Sequence, residues 1–117
     1  MIVERSIRLP AGLEDAWVAI LDFGSWFCVE AHVSEVRPGA RAEFRWADGS
    51  SRAAVFEDVD APGFLAFRWL PFERAGSGLP VPRPQTRVEI RLEATDNDVQ
   101  VTILERRLDE ALSEAIA

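Results

Sequence analysis

His32 is the only histidine in the chain, and an imidazole is the side chain best suited to accept and release protons near neutral pH. A histidine that acts as a general base needs an inward position and a partner that orients its ring. Glu30 lies two residues earlier on the same face of a predicted strand, and Glu105 is a second candidate partner from the last predicted strand. The alternative is a surface or hydrogen-bonded strand histidine without a chemical role.

Glu105 continues, at a spacing of two residues, the apolar face formed by Val99, Val101 and Ile103. This alternation predicts that its carboxylate points inward near the end of a strand. A buried carboxylate is costly unless it is paired, so we expect an arginine or a water molecule to meet it. Glu105 would then act as a polar handle for a ligand or as an acid, with Ile103 beside it. The alternative is an exposed strand end next to two arginines.

Cys28 is the only cysteine, so the chain cannot form an internal disulfide. One cysteine and one histidine make a zinc site implausible, and no other metal-ligand cluster or Ser-His-Asp arrangement can be assembled. A reactive cysteine needs a nearby cation or a helix N-terminus, which the flanking Phe27 and Val29 do not supply. We therefore expect a small core residue at position 28, no metal, no cofactor and no assignable catalytic residue.

Tryptophan and phenylalanine are concentrated on the predicted strands and the first helix. Such side chains either line a pocket for an apolar ligand or fill the core, and a mixture of both also fits the sequence. Phe44 and Trp46 lie on the same strand face and are the strongest pocket candidates. The candidate ligand-binding set is Trp17, Trp26, His32, Phe44, Trp46, Phe67, Trp69, Ile103 and Glu105.

The chain has 117 residues and a net charge of −7, with its arginines scattered along the sequence. Binding to nucleic acid or to an anionic membrane surface depends on clustered cations, so both are disfavoured as partners. No apolar run approaches the roughly 18–20 residues of a membrane-spanning helix, and no secretory signal is visible. These features favour a reducing cytoplasmic location.

The elements that position these residues follow from periodicity. Residues 2–9 predict a strand, and the apolar stripe Leu13, Ala16, Trp17, Ile20 and Leu21 predicts an amphipathic helix followed by a short second turn. About six alternating strands follow, with a strong hairpin signal at Asp48-Gly49. Residues 71–85, rich in proline, predict a long irregular loop. Residues 108–117 predict a short closing helix. The order predicts an α+β class with an antiparallel sheet, helices on one face, and a single domain over residues 1–117.

With these residues placed, the chain resembles the START-like, birch-pollen-allergen-like superfamily (SRPBCC), and in particular homologues of the heat-shock-protein ATPase activator. The resemblance covers roughly residues 2–107. It rests on the order of the opening strand, the segment 13–17, Trp26, Pro38-Gly39, Asp48-Gly49, the apolar strand pair 55–69, and the closing strands 86–92 and 101–103.

The resemblance implies a helix-grip fold, in which a curved sheet of six to seven strands and a long C-terminal helix enclose a cavity. Members bind lipids, polyketides or other apolar ligands, and some catalyse cyclisation. This chain departs from the pattern because residues 108–117 allow a helix only about 15 Å long, against a sheet roughly 30 Å wide. A second subunit, a ligand or collapsed side chains must cover the remaining face, and we predict a homodimer.

The leading hypothesis is therefore a non-catalytic module that binds a small hydrophobic or amphipathic molecule between the sheet and the helices. The first alternative is a small cyclase or hydrolase that uses His32 or Glu105. The second is a protein-interaction module resembling a chaperone activator, which a filled interior and an exposed apolar patch would favour.

Overall fold

The computed structural model describes residues 2–108, which form two helices and eight strands. The elements in chain order are β1 (Ile2–Leu9), α1 (Leu13–Leu21), α2 (Phe23–Trp26), β2 (Glu30–Val33), β3 (Arg41–Arg45), β4 (Ser51–Asp60), β5 (Phe64–Arg74), β6 (Pro80–Pro82), β7 (Thr86–Ala94) and β8 (Val99–Arg107). The predicted α+β order of strand, helix pair and consecutive strands is confirmed. Of the predicted closing helix, residues 109–117 lie outside the described part of the chain.

All strand pairs are antiparallel and form one curved sheet in the order β1-β8-β7-β5-β4-β3-β2. The register between β4 and β5 shifts twice, between Arg52 and Ala54 and between Phe56 and Asp58. Such irregularities increase local twist and bend a sheet. The helices lie on the concave face, as a helix-grip fold requires.

The helix α1 forms because its apolar residues fall on one face. Ala16, Trp17 and Ile20 are buried, while Glu14 and Asp15 occupy the first turn, where carboxylates interact favourably with the helix dipole. The helix α1 packs against β7, and α2 packs against β2. The two helices therefore cover the concave face from the middle of the sheet to its β2 edge.

The segment predicted as a long irregular loop differs from expectation. The strand β5 continues to Arg74 and pairs there with the short strand β6, whereas its first half pairs with β7. Proline is tolerated in β6 because this strand lies at an edge and pairs on one side only among the described residues. The backbone N–H of Ala75 donates to the carbonyl of Leu79 at 2.9 Å and closes the hairpin, and the N–H of Arg83 donates to the carbonyl of Pro71 at 2.8 Å at its open end. Eight strands result, one more than the upper end of the predicted range.

Candidate functional site

The centre of the concave face is filled by aromatic rings. Phe44 and Phe67 have no exposed surface, and Trp17 and Trp69 are also buried. The ring of Phe44 lies 5.2 Å from Phe23 and 5.6 Å from Trp69, measured between centroids. These spacings are those of packed aromatic pairs. Four of the candidate ligand-binding residues therefore belong to the packed core.

Phe23 and Phe27, which the sequence analysis did not single out, complete this core. Phe27 stacks on Trp69 with a centroid distance of 6.0 Å and an angle of 14° between the ring planes. The indole N–H of Trp46 donates to the carbonyl of Phe27 at 3.2 Å. Phe23 and Phe27 follow directly after α1, where the chain turns back over the sheet. This position is the sequence feature that could have identified them.

Trp26 occupies the end of α2 and is 37 % exposed. Its indole N–H donates to the carbonyl of Ile20 at 2.9 Å and joins α2 to α1. Trp46 lies half-buried at the edge of the aromatic core. Both tryptophans thus stabilise the helix pair, and their rings form the border of the filled region.

Within residues 2–108, the part of the concave face formed by β1 and β8 is less covered. The pairing of Val3 with Glu105 and of Ile7 with Val101 places these β1 side chains on the same face as Ile103. Val3 is 38 % exposed and Ile7 is 47 % exposed, although both lie on the face that carries the core. We call Val3, Ile7 and Ile103 the apolar strip, in which Arg5 lies on the same face between Val3 and Ile7 and pairs with Ile103.

A polar group lies at the end of the apolar strip. The carboxylate of Glu105 accepts a hydrogen bond of 2.5 Å from the hydroxyl of Thr86, a buried residue at the start of β7. Glu105 pairs with Val88, whose side chain is in the core, so the carboxylate lies on the concave face. A hydrogen-bonded carboxylate beside apolar surface can accept a further bond from a ligand hydroxyl or amine.

Arg52 extends this polar group across the sheet. Its guanidinium donates from Nε and Nη2 to the carbonyl of Leu70 at 3.1 and 2.9 Å, and from Nη2 to Pro84 at 3.2 Å. The guanidinium carbon lies 5.0 Å from the centre of the Trp69 ring. Burial lowers the pKa of Arg52 below its ordinary value. The hydrogen bonds to the two carbonyls fix the orientation of the guanidinium, and its Nη1 atom has no hydrogen-bond partner among the described residues.

Sequence reasoning missed Arg52, although its position in the alternation contained the signal. Arg52 has the same parity as Ala54 and Phe56, which both face the core, and it pairs with Phe44 on β3. We name Arg52, Thr86 and Glu105 the polar rim. Together with the apolar strip it forms a surface whose polar end lies beside Val3, which pairs with Glu105, and whose apolar end lies at Ile7, which pairs with Val101.

His32 lies on the opposite face of the sheet. Its side chain is 66 % exposed, and its Nε2 atom lies 2.9 Å from the carboxylate of Glu30. His32 borders a shallow outer groove of about 240 Å³, lined also by Arg41, Ala42, Glu43 and Ala53. Because Glu105 faces the concave side, the structure does not bring these two candidate catalytic groups together.

Cys28 is buried, and its thiol donates to the carbonyl of Glu30 at 3.3 Å. Burial raises the pKa of this thiol above its ordinary value, which makes it a poor nucleophile. Within residues 2–108, no three histidine, cysteine or acidic side chains are grouped so that they could hold a metal ion. No helix in this part of the chain is both long and apolar enough to cross a membrane.

Comparison with known proteins places this architecture in a family. The model of the family described as "Activator of Hsp90 ATPase homolog 1-like protein" matches residues 13–116. The chain belongs to this family. Family membership agrees with the helix-grip fold and with the concave face described above, and it does not identify a ligand.

Solved structures show the same fold at low identity. DynU16, a protein of the dynemicin biosynthetic locus, is 21 % identical with a TM-score of 0.72; the match covers 92 % of this chain and 37 % of DynU16. Ms6760 from Mycobacterium smegmatis is 18 % identical with a TM-score of 0.72, covering 98 % of this chain and 78 % of that protein.

A third solved structure, the Aha1 dimer from Colwellia psychrerythraea, is 15 % identical with a TM-score of 0.69. The match covers 92 % of this chain and 76 % of that one. No curated protein is similar enough in sequence to count as a relative.

Proposed function

We propose that this chain binds a small hydrophobic or amphipathic molecule on the concave face, over the apolar strip. The observation that carries this proposal is that Val3 and Ile7 remain exposed on the face that otherwise forms the core. Exposed apolar side chains grouped on one face are typical of ligand-binding and interaction surfaces, whereas singly scattered ones carry no such meaning. The ligand lies beside the filled aromatic core, which forms one wall of the site.

The polar rim would orient an amphipathic ligand in this site. An amphipathic molecule that covers Ile103 and Ile7 with its apolar part places its polar group near Thr86 and Glu105. Arg52 contributes a donor whose orientation is fixed by two backbone carbonyls. A few rigid polar groups at the border of an apolar surface are what orient ligands in small-molecule sites.

The family context supports the proposal at the level of fold. The superfamily that the chain resembles includes binders of lipids and polyketides, and one structural neighbour belongs to a biosynthetic locus. We further propose that residues 1–117 act as one domain. We also propose a cytoplasmic location, which the buried free thiol of Cys28 supports because such a thiol suits a reducing compartment.

Thermal unfolding with amphipathic probes tests this function. Straight-chain fatty acids and alcohols of eight to sixteen carbons are added to delipidated protein. A ligand at one hundred times its dissociation constant stabilises the folded state by about 2.7 kcal/mol, which raises the melting temperature by roughly 10 °C. Ile103→Gln should abolish the shift, whereas Ile2→Gln, on the outer face of β1, should preserve it. A series that leaves the melting temperature unchanged contradicts the proposal.

A protein-interaction role is the second candidate, because the interior between the helices and the sheet is filled and several apolar residues are exposed. Phe72 and Leu79, near the β5–β6 hairpin, are 56 % and 67 % exposed. The family name suggests an Hsp90-type ATPase as the partner. The test is the ATPase rate of such a chaperone with and without this protein. Stimulation that is lost in Phe72→Ala, without any lipid effect, would favour this candidate.

A further inference from the structure

The strand β1 leaves one edge of the sheet open. It is eight residues long, seven of them are exposed, and it pairs only with β8 among the described strands. The backbone groups on its other edge therefore have no strand partner within residues 2–108. A long edge strand that carries apolar side chains is a template for pairing with another strand.

The side chains of β1 alternate between two distinct faces. Val3, Arg5, Ile7 and Leu9 lie on the concave face, since Leu9 pairs with the buried Val99. The even-numbered residues lie on the outer face and include one acid and one base. Glu4 has no ion pair within the described part of the chain, and Arg8 has only a loose contact of 3.8 Å with Asp98.

We propose that β1 pairs antiparallel with β1 of a second copy of this chain, with Ser6 opposite Ser6 on the two-fold axis. In this register Glu4 of each copy lies directly opposite Arg8 of the other, so two ion pairs form across the interface. Val3 lies opposite Leu9, again twice, on the concave side. Opposite charges and apolar pairs directly across a strand pair both stabilise it.

Other registers are less favourable. If one strand slides by a single residue relative to the other, the concave face of one copy is joined to the outer face of the other. If the strand slides by two residues in one direction, Arg5 lies opposite Arg5 of the other copy. After two more residues Glu4 lies opposite Glu4, and both registers place like charges together. A shift by two in the other direction pairs only residues 5–9. The Ser6 register is thus the longest that keeps the faces aligned and avoids repulsion.

The proposed pairing creates a symmetric dimer in which one sheet continues into the other. A two-fold interface uses the same surface on both copies, so each favourable contact occurs twice. It also brings the two apolar strips next to each other on the concave side. The backbone groups of the strand edge form this interface, so cross-linking and light scattering test it separately from ligand binding.

Cysteine cross-linking of the full-length protein tests the register. Residues directly opposite in an antiparallel pair have Cα atoms about 4.5–5.5 Å apart, which suits a disulfide. Ser6→Cys should therefore give a covalent dimer under mild oxidation. In the same register the Cα atoms of two copies of residue 5, or of residue 7, are about 8 Å apart, too far for a disulfide. Arg5→Cys and Ile7→Cys should cross-link at least fivefold more slowly, and the unmodified protein reports any background from Cys28.

Exchanging the charges of Glu4 and Arg8 tests the same interface without cross-linking. Light scattering at about 100 μM should show a dimer for the natural sequence. Glu4→Arg and Arg8→Glu should each weaken dimerisation about tenfold, since two attractive pairs become repulsive. The double variant should recover the affinity, and Arg37→Glu, in a loop outside β1, should leave it unchanged. A monomeric natural protein, equal cross-linking at positions 5, 6 and 7, or a double variant without recovery would overturn the proposal.

Discussion

Replacement of Phe44 by alanine tests whether the aromatic residues form a core or line a hollow. Phe44 has no exposed surface, and its ring lies within 6 Å of four others, those of Phe23, Phe27, Phe67 and Trp69. Removal of a buried phenylalanine ring from such a site costs about 3–5 kcal/mol, because the transfer free energy and the packing contacts are both lost. We expect Phe44→Ala to lower the free energy of unfolding by this amount.

Phe72→Ala is the matched control, since it removes the same ring from a site on β5 that is 56 % exposed. Its expected cost is within about 0.5 kcal/mol, as for an ordinary surface substitution. Urea unfolding followed by circular dichroism measures both variants, with the slope checked to confirm two-state behaviour. If Phe44→Ala costs less than about 1 kcal/mol, or no more than Phe72→Ala, the ring is not packed as described and the assignment of the core is wrong.

Two further substitutions test the polar rim and the buried thiol. Arg52→Gln should lower the free energy of unfolding by about 1–3 kcal/mol, because the carbonyls of Leu70 and Pro84 lose a charged donor; a urea midpoint equal to that of the natural protein would refute this. The pKa of Cys28 is raised by burial, so above pH ~9 the thiol ionises in the unfolded chain before it ionises in the folded one. Stability should therefore be fully present below the unfolded pKa and fall as the pH rises through it, and Cys28→Ala should flatten this dependence. The chain contains no lysine or tyrosine, so few other groups titrate in this range, and an equal slope in both proteins would contradict the argument.

Period-two alternation was sufficient to predict the main strands of the sheet, but not β6 or the extension of β5 to Arg74. The strands β3, β7 and β8 show apolar residues at every second position, and their buried residues follow that pattern. The Asp48-Gly49 signal predicted the turn between β3 and β4. Gly49 adopts a φ of 85°, which favours glycine, and the backbone N–H of Trp46 donates to Ser50 across the turn. These features depend on neighbours in sequence, and local chemistry determines them.

The polar rim and the filled interior depend on contacts between distant segments. Arg52 donates to Leu70 and Pro84, which lie 18 and 32 residues away in sequence, beside a register shift between β4 and β5 that no local pattern encodes. The packing of Phe23 and Phe27 likewise follows from how α2 returns over the sheet. The face on which His32 lies is set by the register of β2 with β3, in which His32 pairs with the exposed Glu43. Alternation within a four-residue strand does not decide this.

The central claim is that the apolar strip and the polar rim together bind an amphipathic molecule. Backbone amide chemical shifts of ¹⁵N-labelled protein, titrated with 1-decanol, test it most directly, because the hydroxyl of this probe can donate to the Glu105 carboxylate. The largest changes are expected at Ile7, Thr86, Ile103 and Glu105, and they should saturate together. Changes confined to the outer groove at His32, Arg41 and Ala53, or no changes up to the solubility limit of the alcohol, would contradict it.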